Sequence, residues 1–148
     1  MKGLIILDFN RTLFNPETNS LFFGVIEFLS SYSKSYSLAL IGKGDERRAN
    51  LIEELDIKKY FKYFSLIEEK SEEDFLKCLM EMKVDKKDTW SIGDRVKKEI
   101  MISNKIGIKT IWFRNGKFAS ETATQEIEKP NFTVGSFEEI KKIIPLLE

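Results

Sequence analysis

The strongest constraint on this chain is a series of short, unbroken apolar runs separated by stretches of helical periodicity. Leu4 to Leu7 is the first, too short for a helix and ended by Asp8. Ser37 to Ile41, Tyr63 to Ile67, Thr89 to Ile92, Ile108 to Phe113 and Phe132 to Val134 follow as further strands. Continuous rather than alternating runs suit parallel strands covered on both faces. Between them, Ser20–Ser33 repeats apolar residues at helical spacing through Phe22, Val25, Ile26 and Leu29. Leu51, Ile52 and Leu55 mark a helix capped by Asp45, and Phe75, Leu76 and Leu79 one started by Ser71 and Asp74. Ile100 and Ile106 mark another, and Ser136 caps a last one with Ile140, Ile143 and Ile144 inward. Ala119 to Pro130 is polar and reads as a loop with a helical turn. The alternation predicts an α/β fold: a Rossmann-like, doubly wound, mainly parallel sheet with helices on both faces.

The 148 residues suit one domain, 1–148, and contain no repeat or linker. Lys+Arg 24 balances Asp+Glu 24, so no global charge draws the chain to nucleic acid or an anionic membrane. There are no histidines, which removes Ser-His-Asp triads and imidazole zinc sites. Cys78 is alone and sits among helical apolar residues, so it reads as packing. No run approaches the length of a membrane span, and the opening run reads as a buried strand rather than a signal peptide. A cytoplasmic location is the expectation.

In open parallel sheets, ligands bind at the carboxyl ends of the strands. Asp8, Gly42 and Asp94 end the first, second and fourth strands, and Lys70 comes just after the third. Two carboxylates and an ammonium would converge there. Paired carboxylates repel one another unless a cation intervenes. Mg²⁺ fits, because it takes oxygen ligands and keeps waters for a phosphate. A carboxylate can also be a nucleophile toward phosphorus, and Lys70 could neutralise the charge on both.

These residues carry a resemblance. Leu4-Ile5-Ile6-Leu7-Asp8-Phe9-Asn10-Arg11-Thr12-Leu13 resembles the first motif of the haloacid dehalogenase-like (HAD) phosphohydrolases, a hydrophobic strand followed by DxDxT. Lys70 ahead of an amphipathic helix resembles the third motif, and Ile92-Gly93-Asp94 through Glu99-Ile100 the fourth. Single motifs of this kind are weak, but their order at successive strand ends is specific. The resemblance implies that Asp8 is the nucleophile and a Mg²⁺ ligand, joined by the Asn10 carbonyl and Asp94. Glu99 would hold metal waters or orient Lys70, and Thr12 would fix the first loop. HAD enzymes often insert a cap domain, but neither Leu13–Ser37 nor Gly44–Lys70 has room for one. The resemblance is therefore to small capless members, whose open sites often take large substrates or close by oligomerisation.

Two positions depart from the family pattern. Asn10 stands where the phosphatases carry a second Asp, which protonates the leaving oxygen and later activates water. Losing a general acid–base costs about 10²–10⁴ in rate. Gly42 stands where the second motif has Ser or Thr. The amides of Gly42, Lys43 and Gly44 could still cradle phosphate as a nest, with Lys43 adding charge.

Each residue also has a plain reading: a capping carboxylate for Asp8 and Asp94, a solvated charged patch for Lys70 among four glutamates, a surface pair for Glu99 and a turn threonine for Thr12. Arg11 and Arg95 flank the motifs and could reach phosphate. Trp112 reads as packed, Phe22 and Phe23 as core or interface. An apolar patch there would be one reason to form a homo-oligomer.

Three functions compete. The first is a Mg²⁺-dependent phosphohydrolase acting on a phosphorylated small molecule or macromolecule, slow because of Asn10. The second is an inactive HAD-like module that binds a phosphorylated ligand or a protein partner. The third, a receiver-like domain, fits poorly, because receivers place the phospho-accepting Asp mid-chain after an early acidic pair. Dehalogenation is compatible with such a fold, which does not set the chemistry.

Overall fold

The computed structural model describes residues 3–146. β1 (Leu4–Leu7) is followed by a small antiparallel hairpin, β2 (Phe14–Asn15) and β3 (Ser20–Leu21), and by α1 (Val25–Tyr32). Then come β4 (Ser37–Lys43), α2 (Glu46–Glu54), β5 (Tyr63–Ile67), α3 (Glu72–Met82) and β6 (Thr89–Gly93). A π-wound turn, Val96–Ile100, runs directly into α4 (Met101–Ile106). β7 (Lys109–Phe113), β8 (Phe132–Val134) and α5 (Phe137–Ile140) complete the order.

The main sheet has six strands in the order β5-β4-β1-β6-β7-β8, and every pairing in it is parallel. β1 is interior, with Leu7 paired to Leu40 on one side and to Ile92 on the other. Its side chains alternate between two cores. Ile5 and Leu7 pack with Val25, Phe28 and Leu29 of α1, Ile52 of α2 and Phe137 of α5. Leu4 and Ile6 pack on the opposite face with Phe75 and Cys78 of α3 and Ile102 of α4. Both faces are dry, which is why the run is unbroken in its apolar character. Cys78 is buried in this second core, and burial pushes its thiol up to about 12, so it is an inert packing residue.

The expected caps form. Asp45 accepts from the Arg47 N–H at 3.0 Å, and Ser71 and Asp74 make a capping box at α3. Three boundaries differ from expectation by more than one residue. The first helix starts at Val25 rather than near Ser20, because Leu21 pairs with Phe14 and Gly24 turns the chain at φ 85. β4 runs on through Gly42 to Lys43. The final helix stops at Ile140, close ahead of Pro145, which disfavours helical backbone at Ile144. Ile144 is nevertheless buried, and its carbonyl accepts from the Tyr32 hydroxyl at 2.5 Å. No helix among the described residues is long and apolar enough to cross a membrane.

Candidate active site

The carboxyl ends of β1, β4, β5 and β6 meet at one edge of the sheet. The Asp8 N–H donates to the Ile92 carbonyl at 3.1 Å, which extends the β1–β6 ladder to the first carboxylate. The chain then coils tightly: the N–H groups of Thr12, Leu13 and Phe14 all donate to the Phe9 carbonyl. Arg11 takes a left-handed conformation, φ 64, to make this turn. The coil brings the Thr12 hydroxyl back to Asp8, donating to Oδ2 at 3.3 Å. Both residues are buried.

Lys70 Nζ lies 2.5 Å from Asp8 Oδ1 and 2.8 Å from Glu99 Oε1. All three side chains are less than one-tenth exposed, so the ammonium is a buried bridge and not part of a solvated patch. Burial opposes charge on Lys70, but the Asp8 and Glu99 carboxylates outweigh it and raise its pKa above the ordinary lysine value. Burial, together with the negative charge of Asp8, raises the Glu99 carboxyl against the pull of Lys70. Burial and the neighbouring charges of Asp8 and Glu99 push Asp94 up to about 9. Asp94 is held from behind: the Trp112 indole N–H donates to its backbone carbonyl at 2.8 Å.

Gly93 explains how a glutamate six residues later reaches back to the strand end. A Cβ at Gly93 would lie 2.9 Å from Glu99 Cβ and 2.8 Å from its Oε2. The absent side chain lets the π-wound turn fold Glu99 over the strand, and the Arg95 N–H holds its Oε2 at 3.3 Å. Such local π-winding recurs at functional sites.

Asp8, Asp94 and Glu99 each offer a carboxylate oxygen, all within 4.8 Å of one another. The donors are all hard oxygens. Three carboxylates against the Lys70 ammonium leave two negative charges, which a divalent cation would balance. The residues therefore fit Mg²⁺, and its charge would reverse the upward pressure on Asp94. They line a cleft of about 230 Å³ together with Asn10, Lys43 and Arg95. Arg11 lines it too, so both flanking arginines face the cleft.

The expected amide nest is not a free loop. Gly42 lies within β4, paired with Leu66, and the Gly44 N–H donates to the Ile67 carbonyl at 3.0 Å. Parallel pairing with β5 extends to Lys43 and takes up this segment. A Cβ at Gly42 would meet Leu66 and Leu40 at 3.2 and 3.3 Å, so the glycine keeps that strand end narrow.

Sequence reasoning missed Glu121. It reaches out of the polar 119–130 stretch to accept from the Val96 N–H at 2.8 Å and from Arg95 Nη2 at 2.9 Å. Phe118 stacks under the same guanidinium at 4.1 Å. Nothing local in the sequence pairs Glu121 with a turn 25 residues earlier.

The HAD-hydrolase-like family model matches residues 69–140. Solved structures share the fold across nearly the whole chain. A HAD-superfamily hydrolase of subfamily IA from Geobacter sulfurreducens is 10% identical, with 97% of this chain and 100% of that one covered at a TM-score of 0.77. A HAD phosphatase from Thermococcus onnurineus is 15% identical over 86% of this chain and 59% of its own, at 0.73. YfnB from Bacillus subtilis, in a magnesium-bound structure, is 16% identical over 85% of this chain and 57% of its own, at 0.73. No curated protein sequence matches. The likeness to these structures shows that the chain has their fold, and the family model matches the stretch that carries Lys70, Asp94 and Glu99.

Proposed function

We propose that the protein is a Mg²⁺-dependent phosphohydrolase that works through an aspartyl-phosphate on Asp8. The observation that carries this reading is the buried Lys70 bridge between Asp8 and Glu99, with Asp94 closing a three-carboxylate cluster. A solvated salt bridge would not need such burial, and strongly perturbed groups converging in a cleft mark reactive sites. The family-model match over residues 69–140 and the phosphatase among the similar folds support it.

Asp8, Asp94 and the Asn10 carbonyl would hold the cation, with Glu99 reaching it directly or through water. Bound there, Mg²⁺ supplies a positive charge that offsets the charge on the phosphoryl oxygens. Thr12 and Lys70 fix the two Asp8 oxygens, so the carboxylate meets phosphorus in a set orientation. An Asp8 oxygen forms the new bond to phosphorus while the bond to the leaving oxygen breaks and its electron pair departs with that oxygen. Lys43 and Lys70 offset charge on the transferring group. Water then attacks phosphorus, releasing phosphate and restoring the carboxylate.

Asn10 sets the limit on both steps. Its amide cannot give a proton to the leaving oxygen or take one from water. Acyl and aryl phosphates, whose leaving groups need no proton, are the preferred substrates, and the phospho-enzyme hydrolyses slowly. The lack of room for an inserted cap leaves the site open to water, and a single 1–148 core domain is the proposed unit.

The test is Mg²⁺-dependent phosphate release from an aryl phosphate by wild type, Asp8→Asn and Asn10→Asp. Activity in wild type and none in Asp8→Asn is the expected result. Silence in wild type with activity in Asn10→Asp would instead support the second reading, a binding module that keeps the machinery, which Asn10 alone favours. Silence in all three would remove the catalytic reading.

A further inference from the structure

Beside the carboxylate cleft lies a larger groove of about 670 Å³, and Asn10 and Lys43 line both. Its other walls include Arg47, Arg48, Asp45 and Glu68. Neither arginine forms an ion pair among the described residues. Arg48 is nonetheless fixed. Its aliphatic stem crosses Gly44 so closely that a Cβ there would lie 2.6 Å from Arg48 Cβ and 2.7 Å from Cγ. Its guanidinium sits 5.1 Å over the ring of Phe9, the buried residue that follows Asp8. The guanidinium of half-buried Arg48 is thus built into the groove wall over Phe9, with no anion among the described residues paired to it.

We infer that this groove receives the leaving-group end of the substrate and that this end carries a second anion, a carboxylate or a second phosphate. Arg48 and Arg47 hold the second anion, and Lys43, shared by the two clefts, lies between it and the transferring phosphoryl group. Planar guanidinium groups suit both oxyanions through paired N–H donors. The groove also carries Asp45, already engaged in capping α2, and Glu68. Three cations against two carboxylates suit one compact anion and disfavour a polyanionic strand. The inference rests on the phosphohydrolase reading, since it places the phosphoryl group at Asp8.

Phosphonates test it without turnover, because their carbon–phosphorus bond does not hydrolyse. Titration calorimetry in Mg²⁺ compares propylphosphonate with phosphonopropionate and ethylenediphosphonate. Wild type should bind at least one doubly anionic ligand about tenfold more tightly than propylphosphonate. Which of the two it prefers identifies carboxylate or phosphate as the second anion. In the Arg47→Gln/Arg48→Gln double variant the preference should fall to about twofold or less. Gly44→Ala, which keeps both charges but displaces Arg48, should also weaken it. Equal binding of all three ligands by wild type would overturn the inference and leave the phosphohydrolase reading standing. A preference that survives both variants would overturn it too. Selective binding without any hydrolysis of aryl phosphate would uphold the groove and overturn catalysis. Failure of every phosphonate to bind would overturn both.

Discussion

The two sides of the sheet edge are built differently. Around β6 the edge is closed and networked: Asp94 and Glu99 are buried, the buried Lys70 side chain reaches across from the end of β5 to Asp8 and Glu99, and Glu121, Trp112 and Arg95 tie the connecting turns together. The family model covers this half, residues 69–140. On the side of β4, the corresponding wall is open, lined by exposed Lys43 and Arg47 and by Asn10, one of the two departures. The contrast follows from physics. Charges taken out of water must be paired and hydrogen-bonded, so every residue of the closed side constrains its neighbours. Residues on an open wall meet solvent or ligand and can change without unfolding the site. In the proposed reaction the charge-balancing groups are therefore held by packing, while Asn10, the proton-handling position, lies on the open wall.

The largest effect should come from changing the open side. Asn10→Asp should speed clearance of the phospho-enzyme by about 10²–10⁴, read as single-turnover phosphate release after loading. An unchanged rate would mean that Asn10 is not what distinguishes the two sides. Next, Gly93→Ala attacks the closed side without touching a charge. Displacing Glu99 and with it Lys70 should lower Mg²⁺-dependent turnover about 10²-fold, in line with the sensitivity of bound geometry to small misplacements. Retained turnover would show that Glu99 does not need its folded-back position.

Glu121→Ala should be milder, because it removes two hydrogen bonds behind the site and none within it. A loss of about 1–3 kcal/mol in urea-unfolding stability is expected, with weaker Mg²⁺ binding from a loosened Asp94 turn. Stability unchanged within error would detach Glu121 from the closed side. The smallest effect concerns Glu128, whose carboxylate accepts from the Thr124 backbone N–H at 2.8 Å and pairs with Lys97 at 3.0 Å. The Thr124 amide and Lys97 hold it down at about 2, against an ordinary value of 4.5. Its folded pKa is depressed, so its contribution is complete above about pH 4.5 and fades as pH falls toward 2. Glu128→Gln should flatten Tm against pH across that window and leave neutral-pH turnover alone.

Most of the strand pattern was legible because burial on both faces writes itself as unbroken apolar runs: Tyr63–Ile67 and Phe132–Val134 match residue for residue. The placement of Asp8, Lys70 and Asp94 at strand ends was legible for the same reason, since topology brings those ends together. Three kinds of feature were not. The β2–β3 hairpin was hidden because two-residue strands carry no period, and Phe22 and Ile26 fit a helix equally well. The reach of Glu121 to Val96 depends on a tertiary contact with no local signal. The groove beside Asn10 depends on Arg48 lying against Phe9, two residues of unremarkable spacing. The glycines belong to a middle case. Gly93 and Gly44 are visible in the sequence, but what makes each necessary is a side chain, Glu99 or Arg48, that only the fold lays across it.

The central claim is that Asp8 carries the phosphoryl group and that Asn10 delays its loss. Intact-protein mass spectrometry after acid quench, on protein incubated with Mg²⁺ and an aryl phosphate, tests both parts at once. Wild type should accumulate the mass of one phosphoryl group, Asp8→Asn should show none, and Asn10→Asp should show less than wild type at steady state. An adduct that persists in Asp8→Asn, or steady turnover by wild type with no adduct at any time point, would contradict the account.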